Sequence, residues 1–276
     1  MVLRRSDDRF DMSGFTTPGP TKRERREHAR SVRLAADRAH AVRETRRRRL
    51  LVLAAVAAAI LLLMVGLVLV DGRDEARPAG AAPSGVTEVR EMLEGIPQHG
   101  IALGDPGAPV TLVEFADLQC PFCRDFALQT LPLVVRDYVR SGKVRLEFQT
   151  LAFLGPDSER AARAAAGAAA QDRLWNLTDL FYVNQGRENS GYATDAFLDG
   201  LLGAIPRLNV ERARRDGQTA VADRLLANAT ALAQRHDIDS TPSFLLGRTG
   251  RDERRVLTGV QHYATLRSHL DAQLRR

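Results

Sequence analysis

The feature that most constrains the fold is a pair of cysteines, Cys120 and Cys123, which are the only cysteines among 276 residues. Two thiols separated by two residues can close an intramolecular disulfide only with each other. They follow the apolar run Val110–Ala116 and precede a stretch with helical character. A buried strand that leads into a Cys-x-x-Cys motif at the start of a helix indicates a redox-active pair.

Two other interpretations of the pair remain open at this stage. An inert disulfide that closes so short a loop would remove little entropy from the unfolded chain. A structural zinc site would need further Cys or His ligands in a suitable pattern. The six histidines are scattered along the chain, at His28, His40, His99, His236, His262 and His269. We therefore predict no metal site and no cofactor.

Residues 50–70 form 21 consecutive uncharged residues, nearly all Leu, Val, Ala, Ile or Met. At about 1.5 Å rise per residue, a helix of this length spans roughly 31 Å, which matches the hydrocarbon core of a bilayer. The sequence therefore predicts a single transmembrane helix. The alternative is a cleaved signal peptide, but this run is long for one and the small residues 79–81 lie far downstream.

The net charge of +6 is unevenly distributed. Residues 1–49 carry 15 Lys and Arg against seven Asp and Glu, whereas the remaining 227 residues carry 25 against 27. Positive flanks stay on the cytoplasmic side, so the basic arm is predicted inside and the cysteines outside, where disulfides persist. The arm fits a topology signal that touches acidic lipids, and we predict no nucleic-acid partner.

Four regions are predicted: a basic cytoplasmic arm (1–49), the transmembrane helix (50–70), a flexible Gly/Pro-rich linker (71–97) that a short helix near 86–93 interrupts, and a folded domain (98–276). Within the domain, apolar periodicity predicts an α/β order with a helical insertion at about 157–237. The expected elements are strands near 101–103, 110–116, 143–150, 243–246 and 255–257, a helix from 121 to about 141, and a last helix over 263–274.

The helix that follows the strand gives the two cysteines different surroundings. Cys120 falls at the N-cap, and Pro121 occupies the first turn, where its missing N–H is harmless. The free N–H groups and partial positive charge of a helix N-terminus stabilise a thiolate. Cys120 is therefore the predicted nucleophilic cysteine, and Cys123, one turn deeper, the predicted resolving cysteine.

Two segments carry a family resemblance: VTLVEFADLQCPFC at 110–123 and DIDSTPSF at 237–244. Together they resemble the DsbA-like, membrane-anchored thiol–disulfide oxidoreductases of bacterial envelopes. The resemblance covers residues 98–276 loosely and the two motifs closely. It implies a thioredoxin fold with a helical insertion, which agrees with the predicted order of elements.

The resemblance also implies roles for individual residues. The Thr241–Pro242 peptide bond is expected to be cis and to lie against the redox pair, with Pro121, Phe122 and Thr241 contacting substrate. Glu114 matches the family's buried acid, which relays protons to the resolving cysteine; the alternative is an exposed glutamate at a strand end. Phe122 is a departure, because the strongest oxidants of the family carry His between the cysteines.

The sequence thus predicts an enzyme that introduces disulfides into exported proteins and is reoxidised by a membrane partner, which only the resemblance implies. The same fold could instead work as a reductase or an isomerase, depending on the stability of the reduced pair. A non-catalytic chaperone or metal carrier that uses the same cleft is the alternative from a different class.

Overall fold

The computed structural model describes residues 53–54, 56–60, 82–252 and 254–276. The chain divides into two compact units, Met1–Arg73 and Asp74–Arg276. In the first unit the described residues, 53–54 and 56–60, are helical. The predicted arm (1–49), most of the predicted transmembrane segment (50–70) and the linker up to residue 81 lie outside the described residues. Among the helices that are described, none is both long and apolar enough to cross a bilayer.

The second unit is built on a mixed sheet of six strands within its described residues, in the order β1-β2-β4-β3-β5-β6. The strands are β1 (Gln98–His99), β2 (Ala102–Leu103), β3 (Val110–Ala116), β4 (Val144–Thr150), β5 (Ser243–Arg248) and β6 (Arg254–Thr258). β3 and β4 are parallel, and the other neighbouring pairs are antiparallel. β3 and β4 thus form a βαβ unit and β5 and β6 a hairpin, in agreement with the predicted α/β order.

Helices cover the sheet and form the insertion between β4 and β5. They are α1 (Val86–Leu93), α2 (Pro121–Gln129), α3 (Leu131–Val134), α4 (Pro156–Ala169), α5 (Leu174–Val183), α6 (Asp195–Gly203), α7 (Val210–Asp216), α8 (Ala220–Arg235) and α9 (Tyr263–Leu274). A π-helical turn, Val135–Val139, continues α3. The insertion comprises α4 to α8, from Pro156 to Arg235.

β3 is the centre of the domain, and all seven of its residues are buried. Because side chains alternate across a strand, β3 supplies two different cores. One face of the sheet, which carries Leu112 and Glu114 and lies under α2 and α5, is called the site face below. The other, the far face, carries Val113 and Phe115 and packs against Ala229 of α8.

The long helix predicted from 121 to about 141 is not continuous. It ends at Gln129 and restarts as α3 and the π-helical turn. Pro132 lacks the N–H that an unbroken helix would use. The buried hydroxyl of Thr130 donates to the carbonyl oxygen of Gln261 at 3.0 Å, which ties this break to the chain before α9.

The packed domain begins before the predicted boundary at Gln98. α1 lies within the segment predicted as a linker, but its Val89 and Leu93 are buried in the core. Arg140 fixes the end of α1, since its guanidinium donates to the carbonyl oxygens of Glu91, Met92 and Glu94 at 2.8, 2.9 and 3.0 Å. Eight residues are too few for a stable isolated helix, so this packing is what stabilises α1.

Candidate active site

The first turn of α2 places the two cysteines in different environments. Cys120 is the N-cap residue with extended backbone angles, and Pro121 occupies the first turn as predicted. The side chain of Phe122 points outward and is 60% exposed, whereas Cys123 has no exposed surface. Both cysteines are free thiols. Cys120 is itself only 4% exposed, and Cys123 lies beneath it.

Cys120 faces the segment that precedes β5. The Thr241–Pro242 peptide bond is cis, as the resemblance implies. The Cys120 thiol lies 3.5 Å from the carbonyl oxygen of Thr241. The pKa of Cys120 is lowered from 9.0 to about 6, first by a hydrogen bond from the Cys123 thiol and then by the Thr241 side chain and the backbone N–H groups at the helix start. These contacts outweigh burial, which acts in the opposite direction.

Cys123 has the opposite character. Burial raises its pKa well above the ordinary value of 9.0, and the hydrogen bond to Cys120 and the charges of Cys120 and Glu114 add to this effect. A hydrogen bond with the backbone of Asp117 partly offsets them. Near neutral pH the pair therefore holds a reactive Cys120 thiolate above a protonated Cys123.

Glu114 lies in the middle of β3, on the site face, and is 4% exposed. In register it stands between Phe148 of β4 and Phe244 of β5, so an aromatic residue flanks it on each neighbouring strand. Within the described part of the chain, its Oε1 has no hydrogen-bond partner. Its pKa is raised well above 4.5, chiefly by burial and also by the charges of Asp179 and Cys120. The alternative of an exposed strand-end glutamate is wrong.

The Asp117 side chain connects several segments of the site by hydrogen bonds, and the sequence suggests only one of these bonds. Its carboxylate is fully buried and accepts hydrogen bonds from four donors. These are the N–H groups of Gln119, Phe153 and Leu154, at 2.9, 3.0 and 3.1 Å, and the Ser158 hydroxyl, at 2.6 Å. The bond to Gln119 is a local Asx turn that a sequence can suggest. The other three donors come from residues 36 to 41 positions away.

The helical insertion fixes the backbone just before the redox pair. Gln185 donates to the carbonyl oxygens of Leu118 and Cys120 at 2.8 and 3.2 Å. The buried side chain of Gln119 accepts from the N–H of Asn189 at 2.7 Å. Neither glutamine was predicted, because each acts through backbone atoms of a segment that is distant in sequence. The insertion therefore serves as part of the scaffold of the site.

Phe153 is a second exposed aromatic residue in the loops around the site, 52% exposed. Its N–H binds Asp117, three residues before Cys120. Nothing in the sequence distinguishes it from a core phenylalanine. As for ions, no group of three or more His, Cys, Asp or Glu in the described ranges could hold a metal.

A thiolate at a helix N-terminus, a buried partner thiol and a cis-proline segment beside the thiolate define a thiol–disulfide exchange protein of thioredoxin fold. The comparisons with known proteins agree. A family model described as Thioredoxin matches residues 97–271. The chain is 31% identical over 145 residues to the probable disulfide bond formation protein D of Bacillus cereus, which covers 51% of this chain and 67% of that protein. It therefore belongs to the DsbA-like, thioredoxin-fold family of disulfide oxidoreductases.

Two further relatives extend this comparison. Disulfide bond formation protein D of Bacillus subtilis is 23% identical over 175 residues, 63% of this chain and 76% of that protein. The crystal structure of oxidised BdbD from the same organism superposes with a TM-score of 0.57 at 22% identity, over 71% of this chain and 97% of that one. The structural likeness establishes the shared fold.

Proposed function

We propose that this protein is a membrane-anchored, extracytoplasmic oxidoreductase that donates its disulfide to the thiols of exported proteins. The observation that carries the proposal is the asymmetry of the pair, in which the pKa of Cys120 is lowered to about 6 while that of the buried Cys123 is raised. A stabilised Cys120 thiolate makes the reduced pair more stable relative to the disulfide, and this favours oxidation of substrates.

The exchange proceeds in two steps. A substrate thiolate attacks the sulfur of Cys120 in the oxidised pair, the bond to Cys123 breaks, and Cys123 leaves with the electron pair and takes up a proton. A second substrate thiolate then attacks the substrate sulfur held on Cys120. The substrate disulfide forms, Cys120 leaves as a thiolate, and two electrons have passed to the pair.

Residues around Cys120 would hold the substrate. Thr241 and Pro242 present backbone beside the sulfur, where an extended substrate segment can pair with it. Pro121 is exposed at the helix start, and the exposed rings of Phe122 and Phe153 offer apolar surface to unfolded chains. Glu114, buried beneath the pair, would exchange the proton of Cys123.

Turnover by the full chain tests the activity. The chain, with glutathione disulfide as terminal oxidant, should oxidise a synthetic peptide that contains two cysteines, followed by mass after alkylation. Faster reduction of the same peptide's disulfide than formation of it would favour the reductase alternative. Binding of the unfolded peptide without any thiol exchange would favour the chaperone alternative.

The anchor and its orientation are a separate part of the proposal, supported by the apolar run at 50–70 and the basic flank before it. In a Cys120→Ser, Cys123→Ser background, Val221→Cys places a thiol at a position that is 64% exposed. A membrane-impermeant thiol reagent should label it in intact cells. A matched Ser6→Cys variant in the arm should be labelled only after lysis; the reverse pattern would overturn the orientation.

Reoxidation completes the cycle. The reduced pair must pass two electrons to another oxidant before a new turnover. We propose a membrane redox partner for this step, in keeping with the resemblance. The partner would meet the same surface around Cys120 that substrates use, since Cys123 has no exposed surface.

A further inference from the structure

A second buried carboxyl group, Asp179 of α5, lies in the core of the site face and has no part in the exchange reaction described above. It is 4% exposed, and its Oδ2 has no hydrogen-bond partner among the described residues. Neither Asp179 nor Glu114 forms an ion pair with any of the residues 82–252 and 254–276. Burying a carboxyl group without partners costs stability, so two such groups in one core need an explanation.

Two contacts of α5 place Asp179 near the redox pair. Trp175, one turn before it, packs edge-to-face on Phe148, with ring centroids 5.7 Å apart, and Phe148 is the register partner of Glu114. Tyr182, three residues after it, donates to the carbonyl oxygen of Asp117 at 3.3 Å, just before the cysteines. Residues spaced by three or four share one helix face. Asp179 therefore lies between a contact beside Glu114 and a contact beside the redox loop.

We propose that Asp179 is a positioning residue of the redox site, whose carboxylate controls when Glu114 gives up or takes up the proton that it exchanges with Cys123. The proposal rests on the proposed exchange reaction and deepens it. When Cys123 attacks a mixed disulfide on Cys120, its proton passes to the Glu114 carboxylate and the leaving thiolate carries away the electron pair. A negative charge on Asp179 favours the protonated form of Glu114 and so opposes premature loss of that proton.

The electrostatics agree with this placement. The charge of Asp179 contributes to the raised pKa of Glu114, and the charge of Glu114 contributes to the raised pKa of Cys123. Burial itself raises the pKa of Asp179, and the pKa of Tyr182 is raised first by burial and then by Cys123 and Glu114. Buried groups coupled in this way titrate together rather than singly.

Other charged groups lie on the elements packed against α5. In α2, the Arg124 guanidinium donates to the carbonyl oxygen of Tyr182 at 3.0 Å, and Asp125 is half-buried. In α4, Asp157 pairs with Arg160. In α6, Asp199 pairs with Arg214. In α1, the charged residues Glu88, Arg90 and Glu91 are exposed. The groups that face Asp179 and its neighbours are therefore Glu114, Asp117, Tyr182, the two cysteines and the Arg124 guanidinium at the carbonyl oxygen of Tyr182.

The test resolves the reactions of the two cysteines as two kinetic phases. The reduced full chain is mixed with 5,5′-dithiobis(2-nitrobenzoate) in a stopped-flow instrument over a range of pH. Attack by Cys120 releases one thionitrobenzoate, and attack by Cys123 on the resulting mixed disulfide releases the second. The second phase should speed up as pH rises through the titration of Glu114. In Asp179→Asn this rise should shift to lower pH, while the first phase is unchanged.

The controls distinguish a charge effect from a loss of packing. Thr178→Val removes a buried hydrogen bond in the same helix without removing a charge, and should change thermal stability but neither pH profile. Should Asp179→Asn fail to fold, Asp179→Leu removes the same charge with a side chain suited to an apolar core. A second phase that keeps the wild-type pH profile in the folded variant would overturn the role of Asp179. Absence of the first phase in wild type would instead overturn the proposed function.

Discussion

The two faces of the central sheet are built from the same strand, β3, but they carry different kinds of core. On the far face, Val113 and Phe115 pack with other apolar side chains from β5 and α8. On the site face, two carboxyl groups, Glu114 and Asp179, are buried, and each has an oxygen without a hydrogen-bond partner in the part of the chain that the structure describes. The far face is built for stability, whereas the site face buries carboxyl groups at a cost in stability, which we propose serves the exchange of protons.

The largest expected effect is on turnover. Cys120→Ser removes the nucleophile, so oxidation of the two-cysteine peptide should fall to the uncatalysed rate. The domain should remain folded, because the substitution exchanges one small side chain near the surface for another. Cys123→Ser is the matched control, and it should accumulate a mixed disulfide on Cys120 that mass spectrometry detects. Turnover that survives in Cys120→Ser would contradict the assignment of the nucleophile.

The next largest effect should fall on the far face. Phe115→Ala leaves a cavity in an apolar core and should lower the free energy of unfolding by about 3–5 kcal/mol. The titration of Cys120, followed by thiolate absorbance, should still have its midpoint near pH 6. A large change in that midpoint would mean that the two faces are coupled and that the contrast between them is wrong.

On the site face, an apolar substitution should raise the free energy of unfolding rather than lower it. Glu114→Leu removes an unpartnered buried carboxyl group and should raise the free energy of unfolding at pH 7 by about 1–3 kcal/mol. The second phase of the reaction with 5,5′-dithiobis(2-nitrobenzoate) should slow in the same variant, because Cys123 has lost its proton acceptor. Denaturant titration and stopped-flow measurement check the two effects independently.

The pH dependence of stability follows from the same group. The pKa of Glu114 is raised in the folded state, so above pH 4.5 the folded chain holds a proton that the unfolded chain has lost. Stability from this group is full below about pH 4.5 and is lost as pH rises through the raised value. The free energy of unfolding of the wild type, measured relative to that of Glu114→Leu, should therefore fall as pH rises. A flat difference would mean that Glu114 is not desolvated.

The smallest expected effect is at the exposed end of α2. In Phe122→His, a positive imidazole beside the Cys120 thiolate should lower its pKa further and stabilise the reduced pair. We expect about a tenfold change in the equilibrium with glutathione, which corresponds to about 30 mV. Phe122→Leu, which adds no charge, should leave the equilibrium unchanged. An unchanged potential in the His variant would show that this position does not tune the pair.

Local patterns were enough to predict the parts of the fold that depend on short-range order. The mostly apolar run Val110–Ala116 predicted the central strand, and the periodicity over Tyr263–Leu274 predicted the last helix. The cysteine spacing predicted Cys120 at the N-cap of α2. These predictions succeed because burial and capping depend on residues that are close together in the sequence.

Contacts between distant segments could not be predicted in this way. The sequence around Asp117 indicates a turn residue. Three of the four hydrogen-bond donors to its carboxylate, however, come from the loop and helix after β4. Asp179 lies in an apolar helical stretch, and only the packing of α5 places it near the redox pair. α1 is short, and the contacts of Arg140 that fix it cross more than 40 residues.

The reduction potential of the full chain, equilibrated in glutathione buffers, tests the central claim most directly. Because the chain contains only two cysteines, the titration reports a single couple. A donor of disulfides whose Cys120 thiolate is stabilised should have a potential of about −120 to −180 mV, the range of known oxidants and isomerases. A potential near about −270 mV, as in thioredoxin, would contradict the claim and make reduction the reaction of this site.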